Sequence, residues 1–260
     1  MTRDYVVTGA ASGIGRATRD LLLEQGHRVI GVDLRDADLE LDLTTASGRA
    51  DLVSGVTERT NGVVDGVIAV AGLSAPIAAT VAVNYYGAVA TLDGLRPLRA
   101  RSEAPRAVAV ASMTSIGPYD EQLLTAIESG TEAEALGRAR ELEETGPEVG
   151  YLNYPTSKRA LARWVRRNAT AEGWAGEGIA LNAIAPGIVL TPMTAPLMAT
   201  PEGREQVLQA VPMPFNGPMG PEAPAELLVW LASERNSHVT GQVVFIDGGF
   251  DAVTRGDATW

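Results

Sequence analysis

Tyr154 and Lys158, in the run Tyr154-Pro155-Thr156-Ser157-Lys158, are the pair in this chain best suited to moving a proton. On a helix, positions i and i+4 share a face, so this spacing puts phenol and ammonium side by side. A phenol titrates near pH ~10 and is a poor base in neutral water. A cation alongside it favours the phenolate and brings proton exchange within reach of working pH. The same spacing is common on ordinary surface helices, so the pair needs a second signal.

That signal is Thr8-Gly9-Ala10-Ala11-Ser12-Gly13-Ile14-Gly15, placed where a first strand hands over to a first helix. Without side chains, Gly9, Gly13 and Gly15 allow a tight turn, close approach of a pyrophosphate, and close packing of helix on strand. Ser12 and Ile14 open that helix, whose free N–H groups and positive dipole end favour an anion. Asp33 closes the second strand after Val29-Ile30-Gly31-Val32. A carboxylate there accepts ribose hydroxyls and repels a 2′-phosphate, so NAD is expected over NADP. Arg35 complicates this, because a guanidinium can reach a 2′-phosphate. Asp42 and Leu43 either flank an adenine or form a solvated loop.

The elements needed to hold these groups are legible. Apolar clusters of strand length at 4–8, 28–33, 65–70, 106–111, 179–185 and 243–246 alternate with stretches of helical period. That alternation predicts an α/β fold in one domain over 1–260, a doubly wound parallel sheet of Rossmann-like type. Between the first two strands, Ile14, Ala17, Leu21 and Leu22 make an apolar stripe, and Gly26 suits a left-handed helix end. Two regions interrupt the rhythm. Residues 117–150 are acidic and rich in Ala, Leu and Glu, with Leu123, Leu124 and Ile127 on one stripe and Leu136, Ala139 and Leu142 on another; an inserted helical hairpin before the tyrosine helix is expected. Residues 188–221, rich in Pro and Met, read as an irregular substrate flap with one short helix.

Composition narrows the partners. A net charge of −11 disfavours nucleic acid and anionic membrane, which need basic surfaces. With no cysteine there is neither a disulfide nor a thiolate metal site, and His27 and His238, the only histidines, lack ligand spacing, so no metal is expected. No apolar run approaches a membrane span and no leader pattern opens the chain, which makes the cytoplasm the expected location.

Taken in order, Thr8 to Gly15, Asp33, Ala71-Gly72, Val83-Asn84, Ser112, Tyr154 with Lys158, Asn182, Pro186-Gly187 and Thr191 resemble the short-chain dehydrogenase/reductase family along nearly the whole chain. The resemblance implies an NAD-dependent oxidoreductase interconverting a secondary alcohol and a ketone. It assigns Tyr154 as general acid/base, Ser112 as the group polarising the substrate oxygen, Lys158 as a grip on the nicotinamide ribose, and Asn84 as the holder of a water relaying protons to Lys158. Ala71 and Gly72 would line the cofactor, Pro186, Gly187 and Ile188 would shape the turn under the nicotinamide, and Thr191 would bond its carboxamide or serve as an N-cap. Three departures stand out: Val70 where Asn is common, Pro155 directly after the tyrosine, and a long separation of serine from tyrosine that leaves Ser115 as a competitor for Ser112. Proline there requires the helix to begin at or just before Tyr154.

The inserted hairpin, residues 26–37 and the ending at 246–253 look most like the bacterial 3α-hydroxysteroid dehydrogenase/carbonyl reductase group. A small hydrophobic alcohol or ketone is the implied substrate. Met193, Met198, Met213 and Met219, with Leu197 and Phe215, would either cover it adaptably or pack as ordinary core. Family tetramers commonly pair the helices flanking the tyrosine. A hairpin at that face points instead to a homodimer through the late helix at 222–233 and the last strand. The rival reading is a non-catalytic NAD-binding regulator or scaffold of the same fold.

Overall fold

The computed structural model describes residues 2–258. In chain order, β1 (Asp4–Thr8), α1 (Gly13–Glu24), β2 (Arg28–Asp33), β3 (Leu39–Glu40), α2 (Ala46–Thr60) and β4 (Gly66–Ala69) come first. A long helical stretch follows, in which α3 (Ala79–Val81) runs through a π-helical segment (Ala82–Gly87) into α4 (Ala88–Gly94). Next are α5 (Arg96–Arg99), β5 (Arg106–Val110), α6 (Glu121–Ser129), α7 (Glu132–Thr145), α8 (Pro147–Gly150) and α9 (Asn153–Asn168). The chain ends with β6 (Ala180–Pro186), α10 (Pro201–Ala210), α11 (Glu222–Ala232), β7 (Val243–Ile246) and α12 (Phe250–Arg255).

The strands form one parallel sheet in the order β3-β2-β1-β4-β5-β6-β7, the doubly wound arrangement read from the sequence. Chain direction across the sheet reverses between β1 and β4, which opens a crevice at the carboxyl ends of those strands. Strand alternation builds a core on each face. Val6, Val67, Ala107 and Leu181 point into the layer holding α2, α4 and α9, whereas Tyr5, Val7, Ile68 and Val108 face Leu22 of α1 and Leu228 of α11. Among the described residues, no helix is long and apolar enough to cross a membrane.

Differences from the sequence reading are local. β3 has only Leu39 and Glu40, paired with Val32 and Asp33, and is too short to carry a period. In α1 the deepest positions are Gly15, Thr18 and Leu22, with Ile14 and Leu21 packed at the margin of the core. Thr18 is admitted because its hydroxyl donates to the Ile14 carbonyl at 2.8 Å. Gly26 takes φ +81° just beyond α1, where only glycine is unstrained.

Between residues 117 and 150, α6 and α7 fold against each other and against α9. Asp120 caps α6 by accepting from Leu123 N–H at 2.7 Å, and Thr131 with Glu134 forms a capping box on α7. Several bonds fasten this pair to the tyrosine helix. Asp120 N–H donates to Thr156 Oγ1 at 3.0 Å, Asn153 Nδ2 donates to the Ala139 carbonyl at 3.0 Å, and Glu128 bridges Arg163 and Arg167. Glu143 also reaches the loop after β4, accepting from Ala78 N–H at 2.8 Å.

Candidate active site

One cleft runs across the carboxyl ends of the central strands. Its walls include Gly9, Ser12, Gly13, Ile14, Gly15, Asp33, Asp42, Leu43, Ala71, Gly72, Ser112, Tyr154, Lys158, Pro186, Gly187 and Thr191, so residues scattered from position 9 to position 191 converge. At one end, the loop between β1 and α1 is closed so tightly that a Cβ on Gly15 would lie 2.0 Å from the Gly9 carbonyl oxygen. Thr8 ties this end to β4 by accepting from the N–H groups of Val70 and Ala71 at 3.1 and 3.0 Å. The Thr8 hydroxyl thus links the two strands at the point where Val70 supplies no side-chain hydrogen bond. The Ser12 hydroxyl makes no cap on α1, so the first-turn N–H groups face the cleft without a side-chain acceptor from Ser12. That donor set suits a pyrophosphate.

Asp33 stands at the tip of β2 with Oδ2 accepting from Ala11 N–H at 2.9 Å and Oδ1 accepting from Leu34 N–H at 2.7 Å. Each oxygen keeps a lone pair for a further donor. Arg35 is exposed and outside the cleft lining. Asp42 accepts from both the N–H and hydroxyl of Thr44, at 2.9 and 2.6 Å, which makes it a turn residue that also borders the cleft. Leu34, Leu41 and Thr44 share that border and carry no motif that would mark them in the sequence.

At the other end, α9 begins at Asn153 and brings Tyr154 and Lys158 to the cleft floor. Burial pushes the Tyr154 phenol up to about 12, and a side-chain hydrogen bond with Ser112 opposes that rise. Lys158 is 4% exposed, and burial alone brings its ammonium down to about 8. Its Nζ donates to the Val110 carbonyl at 2.8 Å. The expected effect of Lys158 on the phenol is therefore outweighed here: desolvation dominates Tyr154, with Ser112 rather than Lys158 opposing it. Ser112 caps the 3₁₀ turn Met113–Ile116, accepting from the Thr114 N–H and hydroxyl at 3.2 and 3.0 Å. Ser112 borders the cleft and Ser115 does not.

Two expected site residues lie behind the walls. Asn84, within the π-helical segment, is fully buried. Its Nδ2 donates to the Leu73 carbonyl and to Ser157 Oγ at 2.9 and 3.1 Å, while its Oδ1 accepts from Leu73 N–H at 2.9 Å. Its amide thus fastens the loop after β4 to α9. Gly72 separates it from the lysine, since a Cβ there would come 2.9 Å from Asn84 Oδ1 and 3.4 Å from Lys158 Nζ. Ile188 turns away from the cleft, its N–H meeting Met213 Sδ at 3.4 Å and its side chain joining Met113 and Met213 in a separate apolar cluster. Of the four methionines in the 188–221 segment, Met193 borders the cleft, Met213 is buried in that cluster and Met219 packs against it. Leu73, Val189 and Pro192 complete this apolar end.

Similarity to known proteins agrees with this geometry. The short chain dehydrogenase model matches residues 4–124, and the model described as Enoyl-(Acyl carrier protein) reductase matches residues 142–251. The 3-alpha-hydroxysteroid dehydrogenase/carbonyl reductase of Comamonas testosteroni is 37% identical over 96% of this chain and 97% of its own. The 3-oxoacyl-[acyl-carrier-protein] reductase FabG of Thermotoga maritima is 32% identical over 94% of this chain and 96% of its own. A crystal structure of the 3-alpha-hydroxysteroid dehydrogenase from Pseudomonas sp. B-0831 complexed with NADH superposes with a TM-score of 0.88 at 38% identity, covering 98% of this chain and 99% of that one. A chain whose cleft joins a dinucleotide cradle to a half-buried tyrosine and a buried lysine, and whose relatives match it end to end, belongs to the short-chain dehydrogenase family of nicotinamide-dependent oxidoreductases.

Proposed function

We propose that this protein is an NAD-dependent alcohol dehydrogenase/carbonyl reductase acting on a hydrophobic, cyclic secondary alcohol or ketone of the hydroxysteroid kind. The observation that carries the reading is the convergence of Ser112, Tyr154 and Lys158 on an apolar cleft end lined by Leu73, Val189 and Met193. The Comamonas relative named for hydroxysteroid and carbonyl substrates supports the substrate class. Asp33 at the tip of β2 supports NAD, because its carboxylate would face a 2′-phosphate without relief from the exposed Arg35.

A nicotinamide held in this cleft would supply the hydride to the carbonyl carbon, or accept it from the carbinol carbon. In the reductive direction Ser112 donates a hydrogen bond to the carbonyl oxygen and Tyr154 gives that oxygen its proton as charge develops on it. A phenol held near 12 is fully protonated at neutral pH, which poises the free site for reduction. In the oxidative direction Tyr154 must first lose its proton, which the Lys158 ammonium on the same cleft floor and a positive nicotinamide ring would both favour. Lys158 spends one of its donors on Val110 and keeps two for the ribose hydroxyls. Asn84 acts through position, fixing Leu73 and the loop that carries Gly72.

The assay is oxidation of NADH and of NADPH by wild-type protein against steroid and cyclic ketones, beside Tyr154→Phe. Turnover by wild type with NADH, and undiminished NADH binding without turnover by the variant, is the expected result. Wild type that binds NADH and never oxidises it with any ketone would instead identify a cofactor-binding regulator. A homodimer through α11 and β7 is the assembly this reading favours, since α6 already covers a face of α9 and Trp230 of α11 is exposed. Sedimentation showing a tetramer would overturn it.

A further inference from the structure

Two hydroxyl groups with no role in the chemistry above lie just outside the cleft lining, next to its lining residues Leu73 and Tyr154. Ser74 follows Leu73 on the loop after β4, and Tyr151 sits in the turn that leads into α9. Their oxygens are 3.4 Å apart. A good hydroxyl–hydroxyl bond is shorter, about 2.7–2.8 Å, so the pair is poorly self-satisfied and each oxygen keeps capacity for another partner. The Tyr151 ring lies 5.9 Å from the Tyr154 ring, tilted by 37°, and it is 43% exposed. Negative charge on Tyr151 raises Tyr154, so the two phenols are electrostatic neighbours.

This placement is built into the fold. Tyr154 N–H donates to the Tyr151 carbonyl at 3.0 Å, which fixes one tyrosine relative to the other. Across the mouth, Asn84 holds both backbone groups of Leu73, and Glu143 holds Ala78. Gly150 is pressed so closely on this loop that a Cβ would come 2.6 Å from the Pro76 carbonyl oxygen. Ser74 and Tyr151 therefore belong to two segments locked together, rather than to two independent loops.

We propose that Ser74 and Tyr151 form a second oxygen-binding subsite just beyond the cleft lining at Leu73 and Tyr154, clasping a hydroxyl or carbonyl oxygen of the substrate next to the one being oxidised or reduced. The ring of Tyr151 supplies an aromatic wall for a cyclic skeleton, and the two hydroxyls bind an oxygen on the same or an adjoining ring. The preferred substrate class is thus a cyclic hydroxyketone or diol rather than a plain hydrocarbon ketone. This inference rests on the carbonyl reductase reading and adds to it a source of specificity outside the reacting groups.

The test compares cyclohexanone with 4-hydroxycyclohexanone in wild type, Tyr151→Phe and Ser74→Ala, with NADH. Wild type should favour the hydroxyketone, and each variant should raise its KM about 3- to 10-fold, the effect of one lost hydrogen bond. kcat, NADH affinity and the kinetics of cyclohexanone should stay within about twofold of wild type, which a merely structural role for Tyr151 would not allow. Equal losses on both ketones, or none on either, would overturn the subsite. Wild type that reduces neither ketone would count against the enzyme reading itself. Binding separates the two failures: in Tyr154→Phe with NADH bound, tighter binding of the hydroxyketone than of cyclohexanone supports the subsite without turnover, and equal binding overturns it.

Discussion

Replacing Lys158 with methionine should make the nucleotide-free protein more stable at neutral pH while abolishing turnover. The ammonium is 4% exposed and burial brings it from 10.5 to about 8. At about 1.36 kcal/mol per unit, holding that charge costs the fold about 3 kcal/mol at pH 7. Methionine fits a similar volume without the charge but forfeits the bond to the Val110 carbonyl, about 1 kcal/mol, leaving a net gain of about 2 kcal/mol. The pH dependence is the sharper readout. Since the folded lysine titrates below the unfolded one, the unfolded chain binds more protons between about pH 8 and 10.5, and wild-type stability rises through that window. The gap between variant and wild type, measured by urea denaturation, should therefore shrink by about 2 kcal/mol from pH 7 to pH 10. A gap that stays constant, or a variant less stable at every pH, would show that the ammonium is solvated or paired in a way this geometry does not contain.

Other expectations follow from neighbouring contacts. Ser112→Ala should lower kcat by about 10²- to 10³-fold and move the rising limb of the oxidation pH profile to higher pH, because the bond that lowers Tyr154 is gone; an unmoved limb would contradict it. Asp33→Ala should weaken NADH binding about tenfold and narrow its advantage over NADPH, read by fluorescence titration, and an unchanged cofactor ratio would speak against the ribose role. Arg99, fully buried and brought down to about 9 by desolvation, leaves Nε and Nη1 without partners while its side chain packs on the Trp174 ring. Arg99→Met should be neutral or stabilising by up to about 2 kcal/mol in urea denaturation; a loss above about 1 kcal/mol would mean the guanidinium does more than the visible contacts account for.

The sheet was readable because its interior strands are apolar on both faces and must be, since helices cover each side. Its edge was not: Leu39 and Glu40 give too few residues to show alternation. The cradle and the tyrosine–lysine spacing were readable because their chemistry is local in sequence. What escaped was long-range. Nothing near Asn84 reveals that its amide will bond Leu73 and Ser157, or near Ile188 that Met213 will take its N–H. Leu34 and Leu41 follow no period, because a wall for a flat ligand needs apolar surface at one point rather than along a stripe. The strength of desolvation at Tyr154 was not legible either, as spacing fixes which face two groups share and says nothing of how deeply that face is sunk.

The helices α6 and α7 hold both sides of the cleft mouth from outside, one through Asn153 and Thr156, the other through Glu143 on Ala78. Breathing of the entrance and fraying of the hairpin are then a single event, so amide protons in 121–145 and in 73–80 should exchange with deuterium at a common rate. Access of bulky molecules to the reacting tyrosine is consequently governed from a surface that never touches them.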